Sequence, residues 1–324
     1  MTEFAWPSGA ATGVGSLPGT DIAEAQRVVL GELPDLPHLP ELPARGPGAE
    51  IIGRGAAFLV DLPVELYAGR WRVAPRPGRD RRRALDLLER DLDEMTQQAG
   101  EFAGTFKIQA AGPYTLAASV ELALGGRILR DHGAVRELTE SLAEGLRAHV
   151  ADVRRRLPRA TVLLQLDEPS LPAALAGRIP TDSGLYTYRS VAVSTAATAL
   201  RSIVDAVGVP LVLHCCAPDV PLDVVRASGA AAVALDLDLV EKLDPLGEAL
   251  DAGLGLFAGC AAAPSKAMAD RVRELWRRLG FPEAALPAQV VVTPACGLAG
   301  AAPAEARKVL TACREAALRL AESS

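Results

Sequence analysis

Three side chains stand out for the chemistry they could do together. His214 and Cys216 form a His-x-Cys pair, and in an extended strand residues two apart point to the same side. Zn²⁺ takes imidazole nitrogen and thiolate sulfur in tetrahedral geometry, so the pair reads as two metal ligands. Cys296 reads as a third. It lies in Pro294-Ala295-Cys296-Gly297-Leu298, where Pro and Gly bracket it in a tight turn that would fix its thiolate. The five cysteines are an odd number in a long chain, a poor disulfide framework and a better set for metal or catalytic use. Cys215 should face away from its neighbours into the wall. Cys313 reads as a core or surface residue of the last helix, and Cys260 is left open.

These residues need elements to hold them. Short apolar runs alternate with amphipathic stretches along the whole sequence. Candidate strands are 11–16, 51–60, 106–111, 161–167, 210–216, 231–236, 253–259 and 289–294. Helical periodicity marks 81–101, 134–157, 192–206, 266–279 and 303–320. Strands separated by helices imply parallel pairing. Eight such units in 324 residues fit a single (β/α)₈ TIM barrel over residues 1–324. A doubly wound open sheet is the competing architecture, but Gly13-Val14-Gly15-Ser16-Leu17-Pro18 ends in Pro where a dinucleotide loop would open a helix. Residues 31–49, with Pro at 34, 37, 40, 43 and 47, read as a long irregular loop, a surface connection or a lid.

In a barrel the C-terminal strand ends converge on one face, where active sites sit. Polar residues recur there: Ser16, Asp167-Glu168, His214 and Cys216, Asp236, Cys260 and Cys296. Packing alone does not call for polar ends on apolar strands. The net charge of −6 argues against a nucleic-acid partner. The arginine runs 79–83 and 154–156 read first as solvated helix faces. No apolar run is long enough to cross a membrane and no signal peptide is evident, so a cytoplasmic protein is expected.

Five segments, in order, resemble the catalytic barrel of cobalamin-independent methionine synthase. Val14-Gly15-Ser16-Leu17-Pro18 is similar to the family's I-G-S-F-P, and Ala111-Gly112-Pro113-Tyr114-Thr115-Leu116 to its T-G-P-V-T-I. Leu164-Gln165-Leu166-Asp167-Glu168-Pro169-Ser170-Leu171 resembles I-Q-I-D-E-P-A-L, Leu213-His214-Cys215-Cys216 resembles T-H-M-C, and Val292–Leu298 resembles V-N-P-D-C-G-L. The resemblance implies zinc on His214, Cys216 and Cys296, with Asp236 where the family has a longer Glu as fourth ligand. It implies homocysteine contacts from Ser16 and Asp167. Coordination to zinc deprotonates a thiol and thiolate is the nucleophile. The expected reaction is therefore S-methylation of homocysteine to methionine, with methyltetrahydrofolate or a methylcorrinoid as donor.

The pattern also departs from the family. The resemblance is to the catalytic barrel alone, whereas the family's full-length enzymes carry an additional N-terminal barrel. Aligning Val64-Glu65-Leu66-Tyr67 with the family's V-E-Y-F puts Ala57 where a homocysteine-binding Glu belongs. Cys260 falls in the segment that supplies a proton-donating His, and His38 is the one unassigned histidine that could substitute. Folate as leaving group needs a general acid, so this loss favours a corrinoid donor, on a corrinoid protein or free. Three other readings compete: a different thiol acceptor, a metal-free barrel of the uroporphyrinogen decarboxylase type, and a non-catalytic zinc-stabilised barrel.

Overall fold

A computed structural model describes residues 3–322. Its centre is a curled sheet of six parallel strands in sequential order, a half-barrel. They are β3 (Gly104–Ala111), β4 (Ala160–Asp167), β5 (Leu211–Cys215), β6 (Ala232–Asp236), β7 (Gly255–Cys260) and β8 (Val290–Pro294). Before them comes a small antiparallel hairpin, β1 (Val64–Tyr67) and β2 (Arg70–Val73). The main helices are Arg79–Ala99, His132–Arg156, Val193–Val207 and Ser265–Arg278 between strands, and Pro303–Glu322 after the last. They match the five amphipathic stretches within two residues at most ends, because one face of each must cover the sheet.

The sheet separates two cores, as a period of two requires. Phe106, Ile108, Val162, Leu164, Leu211, Leu213, Val233, Leu256 and Val292 face outward and pack under the helices. Leu163, Val212, Ala232, Ala234, Phe257 and Val291 face inward with Trp6, Ala10 and Leu36. Trp6 fits across the inner face against Phe257, ring centroids 5.0 Å apart. Gly255 makes this fit possible, since a Cβ there would stand 2.3 Å from the indole.

Both sheet edges are met by extended segments rather than by regular strands. At β8, Thr12 N–H donates to Val292 O (3.1 Å) and Val292 N–H to Ala10 O (3.1 Å). At β3, Leu39 N–H donates to Lys107 O (3.0 Å) and Lys107 N–H to Pro37 O (2.9 Å). The two segments join each other where Leu17 N–H donates to Glu41 O (2.9 Å) and Glu41 N–H to Gly15 O (3.1 Å). Two expectations are corrected here. Residues 51–60 do not form the second strand; Ile51–Ala57 is a helix capped by the Glu50 carboxylate. The segment that takes that place lies inside the Pro-rich stretch 31–49. A proline lacks only its donor: Pro37 bonds through its carbonyl, and Pro40 falls between Leu39 and Glu41, which supply the N–H groups.

Candidate active site

Asp167 and His214 are register partners on β4 and β5, so their inward side chains meet. His214 Nδ1 lies 2.7 Å from Asp167 Oδ1. The same oxygen accepts from Gln165 Nε2 (2.7 Å). With Nδ1 tied to a carboxylate, the other ring nitrogen, Nε2, is buried and without a partner.

Cys216, one residue beyond β5, shares the inward parity of Val212 and His214. Its sulfur stands 3.2 Å from that of Cys296. The two thiols act on each other: Cys216 is pushed up, chiefly by its contact with Cys296. Cys296 is held below the ordinary thiol range by that same contact, then by the Gly297 N–H and the nearby His214. Cys296 is exposed and Cys216 half-buried. Among the described residues no three His, Cys, Asp or Glu side chains are gathered around one point as a metal cluster.

Ser16 lies against the turn that carries Cys296. Leu298 N–H donates to Ser16 O (2.8 Å), and a Cβ on Gly297 would fall 2.1 Å from Ser16 Oγ. A side chain at 297 would have to displace that hydroxyl. Asp236 is placed differently from the cysteines. Its Oδ1 accepts from Asp238 N (2.9 Å) and caps a turn at Leu237–Leu239. It borders a cavity of about 340 Å³ with Asp219, Leu222 and Leu246. The remaining thiols are walled in. Cys215 is fully buried and pushed up to about 12 by burial. Cys260 has the outward parity of Leu256 and Ala258, sits in the outer core and is likewise pushed up to about 12.

Glu41 is the site residue that the sequence motifs missed. It is buried beside Ser16, where the two edge segments join. Its Oε1 accepts from Gln109 Nε2 (3.1 Å) and faces Arg54 Nε at 3.3 Å. Burial raises its carboxyl, an effect that Arg54 opposes and Asp167 adds to. Arg54 in turn bonds Asp91 (2.6 Å), which takes a two-pronged contact from Arg45 (2.6 and 2.8 Å). A Pro-Glu-Leu-Pro run gives no hint of this role. The only sequence signal is a charged residue in an otherwise apolar extended segment.

Lys107 completes the interior. It is fully buried on β3 and donates to Val14 O (2.9 Å), Gln165 Oε1 (2.8 Å) and Gln109 Oε1 (3.4 Å). Burial pulls its ammonium down to about 8, with Asp167 and Glu41 holding it up. His38 is not an exposed loop histidine. It is buried in the extended segment beside Lys107, its ring filling the space where Gly13 lacks a Cβ, and is held well below the ordinary histidine range by burial.

Two of the quoted motifs meet behind the site. Glu168 accepts from Tyr114 N (2.9 Å), Thr115 N (2.8 Å) and Thr115 Oγ1 (2.8 Å). Gly112 leaves room for that carboxylate, which would come within 2.4 Å of a Cβ. The Asp167-Glu168 pair is thereby divided: Asp167 faces the interior, and Glu168 clamps the turn after β3.

A histidine, two adjoining thiols and two buried carboxylates thus gather at the C-terminal end of the parallel sheet. The model of the cobalamin-independent synthase catalytic domain matches residues 9–319, and the chain belongs to that family of methionine synthase-like enzymes. Among solved structures, a B12-independent methionine synthase from Shewanella sp. W3-18-1, in complex with selenomethionine, is 12% identical with a TM-score of 0.61, over 98% of this chain and 99% of its own. The Amycolatopsis orientalis BexX/CysO complex is 15% identical with a TM-score of 0.41, over 98% of this chain and 91% of its own. No curated protein matches the sequence. At such identities the likeness to the Shewanella enzyme is one of fold. Among the described residues no helix is long and apolar enough to cross a membrane.

Proposed function

We propose that this chain is a zinc-dependent thiol methyltransferase that converts homocysteine to methionine. In this reading the segments around Ala11–Leu17 and Pro37–Glu41 complete the six strands as a (β/α)₈ barrel, and the site lies at the C-terminal strand ends.

The carrying observation is His214. A buried ring nitrogen without a partner is uncommon in proteins, and a carboxylate on the opposite nitrogen is the usual companion of a metal-binding imidazole. Beside it stand two sulfurs 3.2 Å apart, one of them already acidified. This donor set fits zinc, with His214, Cys216 and Cys296 as the ligands that would hold it. Asp236 is the candidate for a fourth, and would have to leave its cap on Asp238. When bound, zinc would supply a low-pKa environment that keeps the substrate sulfur as thiolate.

The chain's own residues bind and orient the rest of the substrate. Asp167 uses Oδ1 for His214 and Gln165, which leaves Oδ2 for the substrate ammonium. Glu41 provides a second carboxylate, in the role for which Ala57 has none, and Ser16 can donate to the substrate carboxylate. A methyltetrahydrofolate donor, which the family implies, needs a proton on its leaving nitrogen. Cys260 faces away from the interior and His38 is sealed beneath it. That arrangement favours a donor that leaves without a proton, such as a methylcorrinoid.

The test is a methyl-transfer assay with homocysteine, run in parallel with methyltetrahydrofolate and methylcobalamin. Methionine is expected from one of them, and methionine from neither overturns the substrate assignment. Cys296→Ser should lower zinc affinity by at least about 100-fold and abolish turnover. Retained zinc with full activity would remove Cys296 from the ligand set.

A further inference from the structure

Unused polar groups also gather away from the strand ends. Helices His132–Arg156 and Val193–Val207 pack against each other and leave a groove of about 800 Å³ along their first turns. A cavity of that size suits a small organic molecule rather than a lone ion. Leu129, Val135 and Val191, all buried, give it an apolar bed. Two independent features give it polarity. The first is the start of helix Val193–Val207, where Ala192 has no side chain that could cap. Among the described residues nothing accepts from the N–H groups of Val193, Ser194 and Thr195. Free donors at the positive end of a 15-residue helix attract an anion. His132 and Arg136, exposed on the facing helix, stand at the same end, because both helices are crossovers between parallel strands and begin on one side of the sheet. Glu140, the carboxylate in the lining, lies a turn further along. The second feature is Tyr114. Its side chain is wholly buried beneath the groove, and its hydroxyl has no partner among the described residues. A buried hydroxyl left unpaired is uncommon, and this one can both donate and accept.

We propose that this groove is a second binding site, for a small organic anion. A phosphate or carboxylate head takes the N–H groups of residues 193–195, an apolar body covers Leu129 and Val135, and a hydroxyl on that body meets Tyr114. The site is separate from the strand ends, since none of His214, Cys216, Asp236 and Cys296 lines it. The inference therefore stands apart from the zinc reading. Phosphate and carboxylate offer a helix end the same chemistry, negatively charged oxygen acceptors, and titration with both separates them.

The experiment is calorimetric titration of the full chain with 4-hydroxyphenyl phosphate and 4-hydroxybenzoate, then with phenyl phosphate, benzoate and inorganic phosphate. At least one hydroxylated probe should bind, and the tighter of the two names the head group. Inorganic phosphate, which leaves the apolar bed uncovered, should bind at least about tenfold more weakly. Thr195→Asp puts a carboxylate in the first turn, where it suits the helix but repels an anion. It should keep or raise the urea midpoint and weaken the probe at least about tenfold. Tyr114→Phe removes only the unpaired hydroxyl. It should weaken the hydroxylated probe about fivefold and leave its counterpart without the hydroxyl unchanged, a split that a purely structural role would not produce. Cys296→Ser should bind the probe as wild type does. Wild-type protein that binds neither hydroxylated probe at millimolar concentration, or a folded Thr195→Asp with unchanged affinity, overturns the proposal. So does inorganic phosphate binding as tightly as the organic probes, or Tyr114→Phe weakening both counterparts alike. Loss of binding in Cys296→Ser overturns it too, by putting the probe at the strand ends.

Discussion

At the scale of single residues, the interior selects protonation states as sharply as shapes. His149, on helix His132–Arg156, is buried against Phe58 with ring centroids 4.7 Å apart. Burial first, then Arg54 and Arg156, push it down to about 3 from an ordinary 6.5. It is therefore neutral in the folded protein and takes a proton on unfolding below pH 6.5. The unfolded state then binds more protons, so stability falls as pH drops through that window, by about 1.4 kcal/mol per unit for one such group. His149→Leu should lose this dependence. Between pH 7.5 and 5.5 its stability in urea, relative to wild type, should improve by about 1.4 kcal/mol. Parallel curves for the two proteins would show that His149 does not titrate as its surroundings require. A composition count reveals four histidines but not that three of them, His38, His149 and His214, are buried.

At the scale of elements, the sequence is legible where periodicity has one cause and obscure where two compete. Helix Pro303–Glu322 and strands β3 to β8 carry unbroken patterns, and their positions follow from residue spacing alone. Residues 51–60 do not. Ile51-Ile52 and Ala56-Ala57-Phe58-Leu59-Val60 look like a buried strand, yet Glu50 caps a helix there, accepting from Gly53 N (2.9 Å). A short apolar run does not reveal its own period. The Pro-rich stretch misleads in the opposite direction, because its prolines punctuate an extended segment whose remaining N–H groups find β3 and the first segment. Between elements, contact can be closer than any pattern discloses. Gly145 brings helix His132–Arg156 so near the end of helix Ile51–Ala57 that a Cβ would fall 1.7 Å from Phe58 O. Backbone cannot yield as a flexible side chain does, so Gly145→Ala should destabilise by about 3 kcal/mol, read as a lower urea midpoint. A midpoint equal to wild type would mean that the two helices are not held this closely.

At the scale of the whole molecule, the inner face of the sheet is stacked in layers. Trp6 and Phe257 fill its N-terminal end, and Lys107 with two glutamines forms a polar floor above them. Next come Glu41, Asp167 and His214, and the two cysteines stand at the open end. This order explains which candidate site residues a sequence reader can find. The upper layer lies in short motifs at strand ends, where His-x-Cys and Pro-Ala-Cys-Gly announce themselves. The floor is spread over β3 and β4 at alternate positions, and Glu41 comes from a segment without a motif, so only the fold brings them together. The layering also separates two kinds of failure. Substitutions low in the stack should change stability with little effect on specificity, and those high in the stack the reverse.

The contact between Cys216 and Cys296 has a consequence outside catalysis. Two thiols 3.2 Å apart, one of them acidified and exposed, are poised to oxidise, since the thiolate is the attacking form. Hydrogen peroxide would take two hydrogens from the pair and leave a disulfide and water. Metal-free protein exposed to it should lose about 2 Da in mass and its capacity for zinc together, and a dithiol reductant should restore both. Protein loaded with zinc beforehand should resist, its sulfurs already engaged. Mass spectrometry after brief peroxide treatment checks this, and equal oxidation of both forms would separate the pair from the metal. On the proposed reading, the two sulfurs that would hold the metal are the same two that oxidation would join.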